Sequence, residues 1–199
     1  MPVAIFNLFP VFVMFFTAFK SLDDVFPRYP DLPHFLPSLW HWENFINVWK
    51  QVPLARYFLN SIIVSSGSTL LNLTCTLPAA FACTRYQFRG RRVFLFVVLI
   101  SQMFSPIVVV ISLFRIIDNF GLLDTYRSLI LCNTVFSMAF SIWLMTTYFR
   151  SIPRELEEAA FLDGCSDLRA LWHVILPLAR PGIATAVIFT FIASWNEFL

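Results

Sequence analysis

The chain has 199 residues, of which 58% are hydrophobic and 13% are charged, with a net charge of +2 and a mean hydropathy of +0.73. Soluble domains carry about 25% charged residues, so this composition excludes a disordered chain, a collagen-like chain and a nucleic-acid-binding domain. It predicts an all-α membrane protein, built as a polytopic bundle of transmembrane helices.

Five apolar runs are long enough to cross a membrane. A bilayer core of about 30 Å needs roughly 20 apolar residues of helix. We therefore expect five spans, within residues 2–19, 57–84, 93–117, 128–149 and 181–199. The first run has no basic segment before it and no small-residue cleavage site, so a span is favoured over a signal peptide. The predicted organisation is a first span with an outer loop over residues 1–56, then a transmembrane core over residues 57–199.

Arginine and lysine in short loops predict the orientation of these spans. The segment 85–92 holds four arginines and no acid, and the segment 150–180 also carries several arginines, so both are expected to be cytoplasmic. The segment 118–127 begins with an acidic turn that holds no base, so we expect it to be extracytoplasmic. The Pro-rich segment 20–56 is then extracytoplasmic as well, with a short helix near residues 40–50.

The segment 150–180, called the 150–180 loop below, is the largest polar block between the apolar runs. Pro153 stands where a helix can begin, and glutamates crowd the first turns, where the helix dipole favours negative charge. Gly164 suits the left-handed position that ends a helix. Ser166 can cap a second helix, which is expected to end before Pro177. The local pattern therefore predicts a short helix, a glycine turn and another short helix.

Two interpretations of this helix pair remain open. The small side chains of Ala159 and Ala160 beside an acidic rim suit insertion into a cleft of a partner protein. The alternative is an amphipathic helix pair that rests on the lipid surface. An acidic helix is poorly suited to an anionic inner leaflet, which favours the partner.

Polar side chains inside spans are costly in lipid and tend to face the interior of a bundle, so they are candidates for a translocation path. These candidates are Asn60, Ser65, Ser68, Asn72, Gln102, Asn133, Ser137, Asn196 and Glu197. The alternative for the serines is helix–helix packing, and the alternative for Glu197 is ordinary solvation at the membrane interface.

Catalytic motifs are missing from the sequence. There is no G-x-x-x-x-G-K-[ST] phosphate loop and no H-E-x-x-H metal motif, so we expect neither an ATP-hydrolysing unit nor an enzyme. We assign no catalytic residue and no metal ligand. Energy for any transport must come from a partner or from an ion gradient.

The 150–180 loop resembles the EAA loop of the permease subunits of binding-protein-dependent ABC importers. The matching residues are Glu158, Ala159, Ala160, Asp163, Gly164, Leu176 and Pro177, with Val174 where the family usually has Ile. Other stretches resemble the carbohydrate-type subgroup of these permeases: 58–61, 88–92, 121–125, 151–153 and 195–198.

The resemblance implies a type I ABC importer permease fold and a coupling role for the loop. By position, Glu158 would pair with a basic residue of a cytoplasmic ATPase subunit, Ala159 and Ala160 would allow close approach, and Gly164 would permit the turn. It further implies that the partner ATPase subunits bind ATP, so that this chain holds no cofactor. A second permease subunit, identical or homologous, and an extracytoplasmic solute-binding protein would complete the importer in a prokaryotic inner membrane.

Members of this family commonly have six spans, so the resemblance implies a fragment that lacks the last one. A naturally short membrane protein is the alternative. A sugar or oligosaccharide is the expected solute. Another small polar solute such as a sugar phosphate, or an ion-coupled secondary transporter that works alone, remains as an alternative.

Overall fold

The computed structural model describes residues 2–26 and 35–197, and every regular element within these ranges is helical. This confirms the predicted all-α class. In chain order the elements are α1 (Pro2–Ala18), α2 (Leu22–Val25), α3 (Glu43–Gln51), α4 (Leu54–Arg85), α5 (Arg91–Ser101), α6 (Pro106–Asn119), α7 (Tyr126–Ser151), α8 (Glu155–Leu162), α9 (Asp167–Ala170), a π-helical turn (Leu171–Ile175), α10 (Leu176–Leu178) and α11 (Arg180–Trp195). Residues 27–34 of the predicted outer loop and residues 198–199 of the fifth run lie outside the described ranges.

The chain divides into two compact units, Met1–Phe58 and Leu59–Leu199. In the first unit, the ring of Phe19 is 3% exposed and contacts the rings of Trp40, Trp42 and Phe45. The predicted short helix near residues 40–50 is present as α3.

A hydrogen bond within the first unit fixes the short helix α2. The Ser38 hydroxyl donates to the Asp24 carboxylate at 2.7 Å, and Asp24 accepts from the Ser38 backbone as well. These hydrogen bonds hold the pKa of the Asp24 carboxyl below its usual range, with the Ser38 hydroxyl as the largest cause. The loop around α2 is therefore tied to the segment before α3.

All five apolar runs form helices, but they do not form five unbroken spans. Among the described residues, α4 and α7 are long and apolar enough to cross a membrane. A third span results if residues 167–178 and 180–195 are counted together, across a bend of 79°. The first and fifth runs give shorter helices of 17 and 16 residues.

The third run differs from the prediction because it is interrupted at residues 102–105, between α5 and α6. Pro106 is the first residue of α6, and the preceding Ser105 is extended, with φ −66° and ψ 133°. A proline has no N–H to donate and its ring disfavours a helical conformation in the residue before it. Pro106 therefore starts a new helix where the sequence pattern predicted a continuous one.

Helices α7 and α11 pack closely through small side chains. The buried residues of α11 are Gly182, Ala186, Thr190 and Ser194, which recur at every fourth position and so share one face. The hydroxyls of Thr190 and Ser141 are 3.3 Å apart across this contact. A Cβ atom on Gly182 would lie 2.5 Å from Cγ of Tyr148, so only glycine fits there without displacement of the ring.

Helices α4 and α7 are joined by a row of buried hydrogen bonds. The Asn72 amide donates to the Ser137 hydroxyl at 2.9 Å, and the Thr76 hydroxyl donates to the Asn72 side-chain oxygen at 3.1 Å. One turn away, the Thr134 hydroxyl donates to the Ser68 carbonyl at 3.3 Å. Such bonds satisfy polar groups that lipid cannot solvate.

We predict that Gly182→Val destabilises the fold by about 1–3 kcal/mol, because the added side chain overpacks against the Tyr148 ring. Ala184→Val is the matched control, since Ala184 is exposed on the same helix. Helix propensity alone would favour the change at Gly182, so a loss of stability there reports packing. Thermal unfolding of the purified protein measures both; equal midpoints for the two variants would contradict the prediction.

Candidate functional site

The predicted helix, glycine turn and second helix are present in the 150–180 loop. Helix α8 ends at Leu162, and Gly164, two residues later, has φ +82°. The N–H of Cys165 donates to the Ala160 carbonyl at 2.9 Å, and the N–H of Gly164 donates to the Phe161 carbonyl at 3.0 Å. This pair of bonds is a Schellman motif, which glycine permits because it adopts positive φ at no steric cost.

Three details of the loop differ from the prediction. Helix α8 begins at Glu155, two residues after Pro153. The Ser166 backbone is extended as expected for a cap, but its side chain makes no capping hydrogen bond. The second helix does not end before Pro177 and continues to the end of α10. The π-helical turn that precedes Pro177 changes the hydrogen-bond register, and such turns accommodate residues that cannot join an ordinary α-helical ladder.

The outer face of α8 carries the predicted coupling residues. Glu158, Ala159, Asp163 and Gly164 are exposed, whereas Ala160 is 8% exposed and faces the protein. Of the two residues at the far end of the motif, Leu176 is half-buried and Pro177 is exposed.

Large apolar side chains are also exposed in the 150–180 loop, and they were not identified from the sequence. Leu162 is 89% exposed, Leu168 is 69% exposed and Trp172 is 65% exposed. Apolar residues within an otherwise polar block were the sequence feature that could have indicated this exposed surface. Three such residues beside one short helix form a surface of the kind found at protein interfaces.

The inner face of the loop is fixed to the end of α4. Arg85 forms an ion pair with Glu157, and their side chains are 8% and 6% exposed. The Arg85 guanidinium also donates to the Ile152 carbonyl at 3.2 Å. Tyr86, the next residue, donates a hydrogen bond to the Asp167 carboxylate at the start of α9. These contacts attach both helices of the loop to α4.

Burial controls the protonation of this anchor. Desolvation raises the pKa of the Glu157 carboxyl, and the positive charge of Arg85 opposes that rise. The pKa of the Tyr86 hydroxyl is raised, mainly because this hydroxyl donates a hydrogen bond to the Asp167 carboxylate. Glu157 therefore depends on Arg85 to remain an anion in its buried position. In the sequence, Arg85 indicated only the orientation, and Glu157 only an acidic first turn.

The loop also enters the hydrophobic core of the bundle. Ile175 of the π-helical turn is fully buried, together with Met145 and Phe149 of α7. Ala80 and Phe81 of α4 belong to the same cluster. The loop is therefore a packed part of the bundle.

Eight of the nine predicted translocation-path residues fall into two structural groups. One group is in helix–helix contact: Ser65, Ser68 and Asn72 are fully buried, and Asn60 accepts a hydrogen bond from the Tyr126 hydroxyl at 2.8 Å. The other group lines a cavity of about 180 Å³ and comprises Gln102, Asn133, Ser137 and Glu197. Asn196 is exposed at the end of α11 and does not line this cavity.

Aromatic rings complete the wall of this cavity. Phe136, Phe140 and Phe189 line it, and the rings of Phe140 and Phe189 have centroids 4.0 Å apart. The buried hydroxyl of Ser194 also lines the cavity and has no hydrogen-bond partner among the described residues. Amide, hydroxyl and carboxylate groups beside aromatic faces suit a small polar organic solute. No group of His, Cys, Asp and Glu side chains within the described ranges could hold a metal ion.

Curated relatives resemble almost the whole chain. The diacetylchitobiose uptake system permease protein NgcG of Streptomyces coelicolor is 36% identical over 190 residues, which cover 96% of this chain and 62% of that protein. The probable ABC transporter permease protein YurM of Bacillus subtilis is 38% identical, again with 96% and 62% coverage. The trehalose/maltose transport system permease protein MalG of Thermococcus litoralis is 34% identical, with 98% and 69% coverage. The chain thus spans 62% of the length of two of these relatives.

A solved structure and a family model agree with these relatives. A bacterial ABC transporter involved in the import of the acidic polysaccharide alginate superposes with a TM-score of 0.82 at 30% identity, over 99% of this chain and 68% of that chain. The family model described as binding-protein-dependent transport system inner membrane component matches residues 73–199. That family consists of transport components and not of enzymes. On these similarities, the chain belongs to the family of binding-protein-dependent transport system inner membrane components.

Proposed function

We propose that this chain is the transmembrane permease subunit of an ATP-driven ABC importer for a sugar or oligosaccharide. The observation that carries the proposal is the 150–180 loop, which presents an exposed acidic helix while its inner face is buried in the bundle. A mere connector between helices needs neither a Schellman turn nor a buried ion pair. A partner that pushes on such a loop would move the helices attached to it.

Docking of a cytoplasmic ATPase subunit would use the outer face of α8. Glu158 supplies an exposed carboxylate for a basic residue of the ATPase, and Ala159 beside it leaves room for close approach. Leu162 and Trp172 add apolar surface that a cleft can desolvate. Buried apolar anchors within a polar rim are the usual source of affinity at protein interfaces.

Coupling to transport would run through the anchor between the loop and α4. The Arg85–Glu157 ion pair and the Tyr86–Asp167 hydrogen bond attach the loop at two points. ATP-driven closure of an ATPase dimer would bring the loops of two permease subunits together. The attached helices would then alternate between inward-facing and outward-facing arrangements, and an external binding protein would deliver the solute.

The arginine-rich segment 85–92 and the 150–180 loop lie at the same end of the second unit, since Arg85 contacts Glu157. Positive charge in short loops marks the cytoplasmic side, which suits an ATPase contact there. The proposed orientation in a prokaryotic inner membrane therefore has segments 85–92 and 150–180 inside, and segments 20–56 and 118–127 outside.

A neutral sugar is the solute that the 180 Å³ cavity favours. Glu197 lines it together with amides and hydroxyls, and none of its described lining residues is cationic. A carboxylate without a cation disfavours a sugar phosphate, because two anions would face each other. The names of the relatives that transport diacetylchitobiose and trehalose or maltose agree with this solute class.

We predict that Glu158→Lys abolishes solute-dependent ATP hydrolysis and uptake, because the reversed charge repels the basic partner residue. Glu155→Lys is the matched control, since Glu155 is also exposed on α8 and makes the same charge change. Both are measured in the assembled importer in liposomes. Uptake that survives Glu158→Lys, or that proceeds without ATP, would contradict the proposal.

We predict that Glu157→Ala destabilises the protein by about 3 kcal/mol, because it leaves Arg85 buried without a counter-charge. The double variant Arg85→Met with Glu157→Leu is expected to recover most of the stability but to hydrolyse ATP with little uptake, since the anchor is lost. Thermal unfolding and the ratio of solute transported to ATP hydrolysed measure the two effects. Full coupling in the double variant would show that the ion pair has only a structural role.

We predict that Asn133→Leu weakens solute uptake without a loss of stability, because Asn133 lines the cavity and is half-buried. Asn72→Leu is the comparison: it breaks the bond to Ser137 and costs about 0.6–1.7 kcal/mol of stability. KM for uptake and thermal midpoints separate the two outcomes. A normal KM for Asn133→Leu would remove the cavity from the proposed path.

A further inference from the structure

A second cavity, of about 460 Å³, lies where α4, α5, α7 and α8 end or begin. We propose that it binds the phosphate headgroup of an anionic phospholipid, an inference that rests on the proposed cytoplasmic orientation of this end. The lining residues are Thr84, Arg85, Arg91, Arg150, Ile152, Pro153, Arg154 and Glu155. Four arginines and one glutamate are therefore among the residues that line a space large enough for a headgroup.

Two of these arginines have guanidinium groups without an ion-pair partner among the described residues. No hydrogen bond or ion pair joins the side chain of Arg91 or Arg150 to any described residue. Arg154 donates to the Thr84 carbonyl at a long 3.4 Å. Arg85 is paired with Glu157, but its Nε atom is buried without a partner. Guanidinium groups bind phosphate oxygens through paired, charge-assisted hydrogen bonds, which would satisfy these free donors.

The start of α5 adds positive potential to the same cavity. Arg91 is its first residue, and Gly90 before it has φ +96° and offers no side chain to cap the helix. There is no acidic residue in the first turn. The N–H of Arg91 donates to the Phe88 carbonyl at 3.3 Å, so the helix dipole is what favours an anion near this end of α5.

Exposed apolar side chains one and two turns from the free arginines distinguish a lipid from a soluble phosphate. On α5, Phe94 is 39% exposed and lies on the same side of the helix as Arg91, one turn away. On α7, Trp143 is 46% exposed and lies on the same side of the helix as Arg150, two turns away. A molecule with an anionic head and apolar tails complements both the arginines and the apolar faces.

The test uses the assembled importer, purified without nucleotide and compared before and after lipid exchange. Native mass spectrometry is the readout of the lipid that stays bound. Mixed phosphatidylglycerol and phosphatidylcholine vesicles supply the competing lipids. We expect phosphatidylglycerol to be retained, and Arg91→Gln with Arg150→Gln to lower its retention by about tenfold or more, given the attraction of each arginine near an anionic surface. The matched control is Arg89→Gln with Arg169→Gln, which removes the same charge from exposed positions outside the cavity.

Four results would overturn the inference. The control variant could lose as much phosphatidylglycerol as the cavity variant, or the importer could retain phosphatidylcholine as well as phosphatidylglycerol. Inorganic phosphate could displace the bound lipid. Finally, the permease chain alone could retain the lipid while the assembled importer does not. The last would mean that a second subunit covers this face. If the double variant does not fold, the wild-type importer still decides, because phosphatidylglycerol must raise its unfolding temperature above the value in phosphatidylcholine. Retention is measured without solute or ATP, so its failure is distinct from a failure of the coupling prediction at Glu158.

Discussion

Close approach of α4 and α11 to α7 is the constraint on which the rest of the second unit depends. Each of these two helices reaches α7 through a glycine. A Cβ atom on Gly67 of α4 would lie 2.6 Å from Cδ1 of Ile130, and one on Gly182 of α11 would lie 2.5 Å from Cγ of Tyr148. Lipid tails are as apolar as the side chains they touch, so helices in a bilayer gain little from hydrophobic burial. They associate through dispersion contacts and hydrogen bonds, both of which need short distances.

The packing of α4 against α7 also determines the contacts between the end of α4 and the 150–180 loop. Because α4 lies along α7, its last turn brings Arg85 beside the chain that leaves α7 at Ile152, where the two form a hydrogen bond of 3.2 Å. Glu157, on the inner face of α8, follows only five residues later and forms an ion pair with Arg85. The ion pair is thus a consequence of helix packing that starts far from the loop. Gly182 packs against Tyr148 near the same end of α7, so breaking that packing and breaking the ion pair at Glu157 would both loosen this end of the bundle.

Much of this could be predicted from the sequence, because the relevant interactions are local. Apolar runs predicted the helices, and Gly164 predicted the turn in the 150–180 loop. The break before Pro106 and the continuation past Pro177 were predicted incorrectly, although both involve a proline. Pro106 begins a new helix after the extended Ser105, whereas Pro177 follows a π-helical turn in which Ile175 is buried in the core. Burial of that kind depends on tertiary packing, which local sequence does not show. The pairing of Arg85 with Glu157 joins residues far apart in sequence, so it needed the tertiary structure.

In the proposed importer, α7 is the element best suited to transmit movement between the loop and the cavity. Ser137 lines the cavity and bonds to Asn72, while Phe149 packs in the core beside Ile175 of the loop. These two positions on α7 are about 18 Å apart along the helix at 1.5 Å per residue. The helix has no glycine or proline in its 26 residues, whereas α4 contains Pro78 and α11 follows a bend of 79°. A displacement of the loop would therefore carry α7 as a rigid rod, and the cavity wall formed by Asn133 and Ser137 would shift against α11. Coupling of this kind requires two stable arrangements of the α7–α11 contact, and a stripe of small residues permits sliding without large changes in side-chain packing.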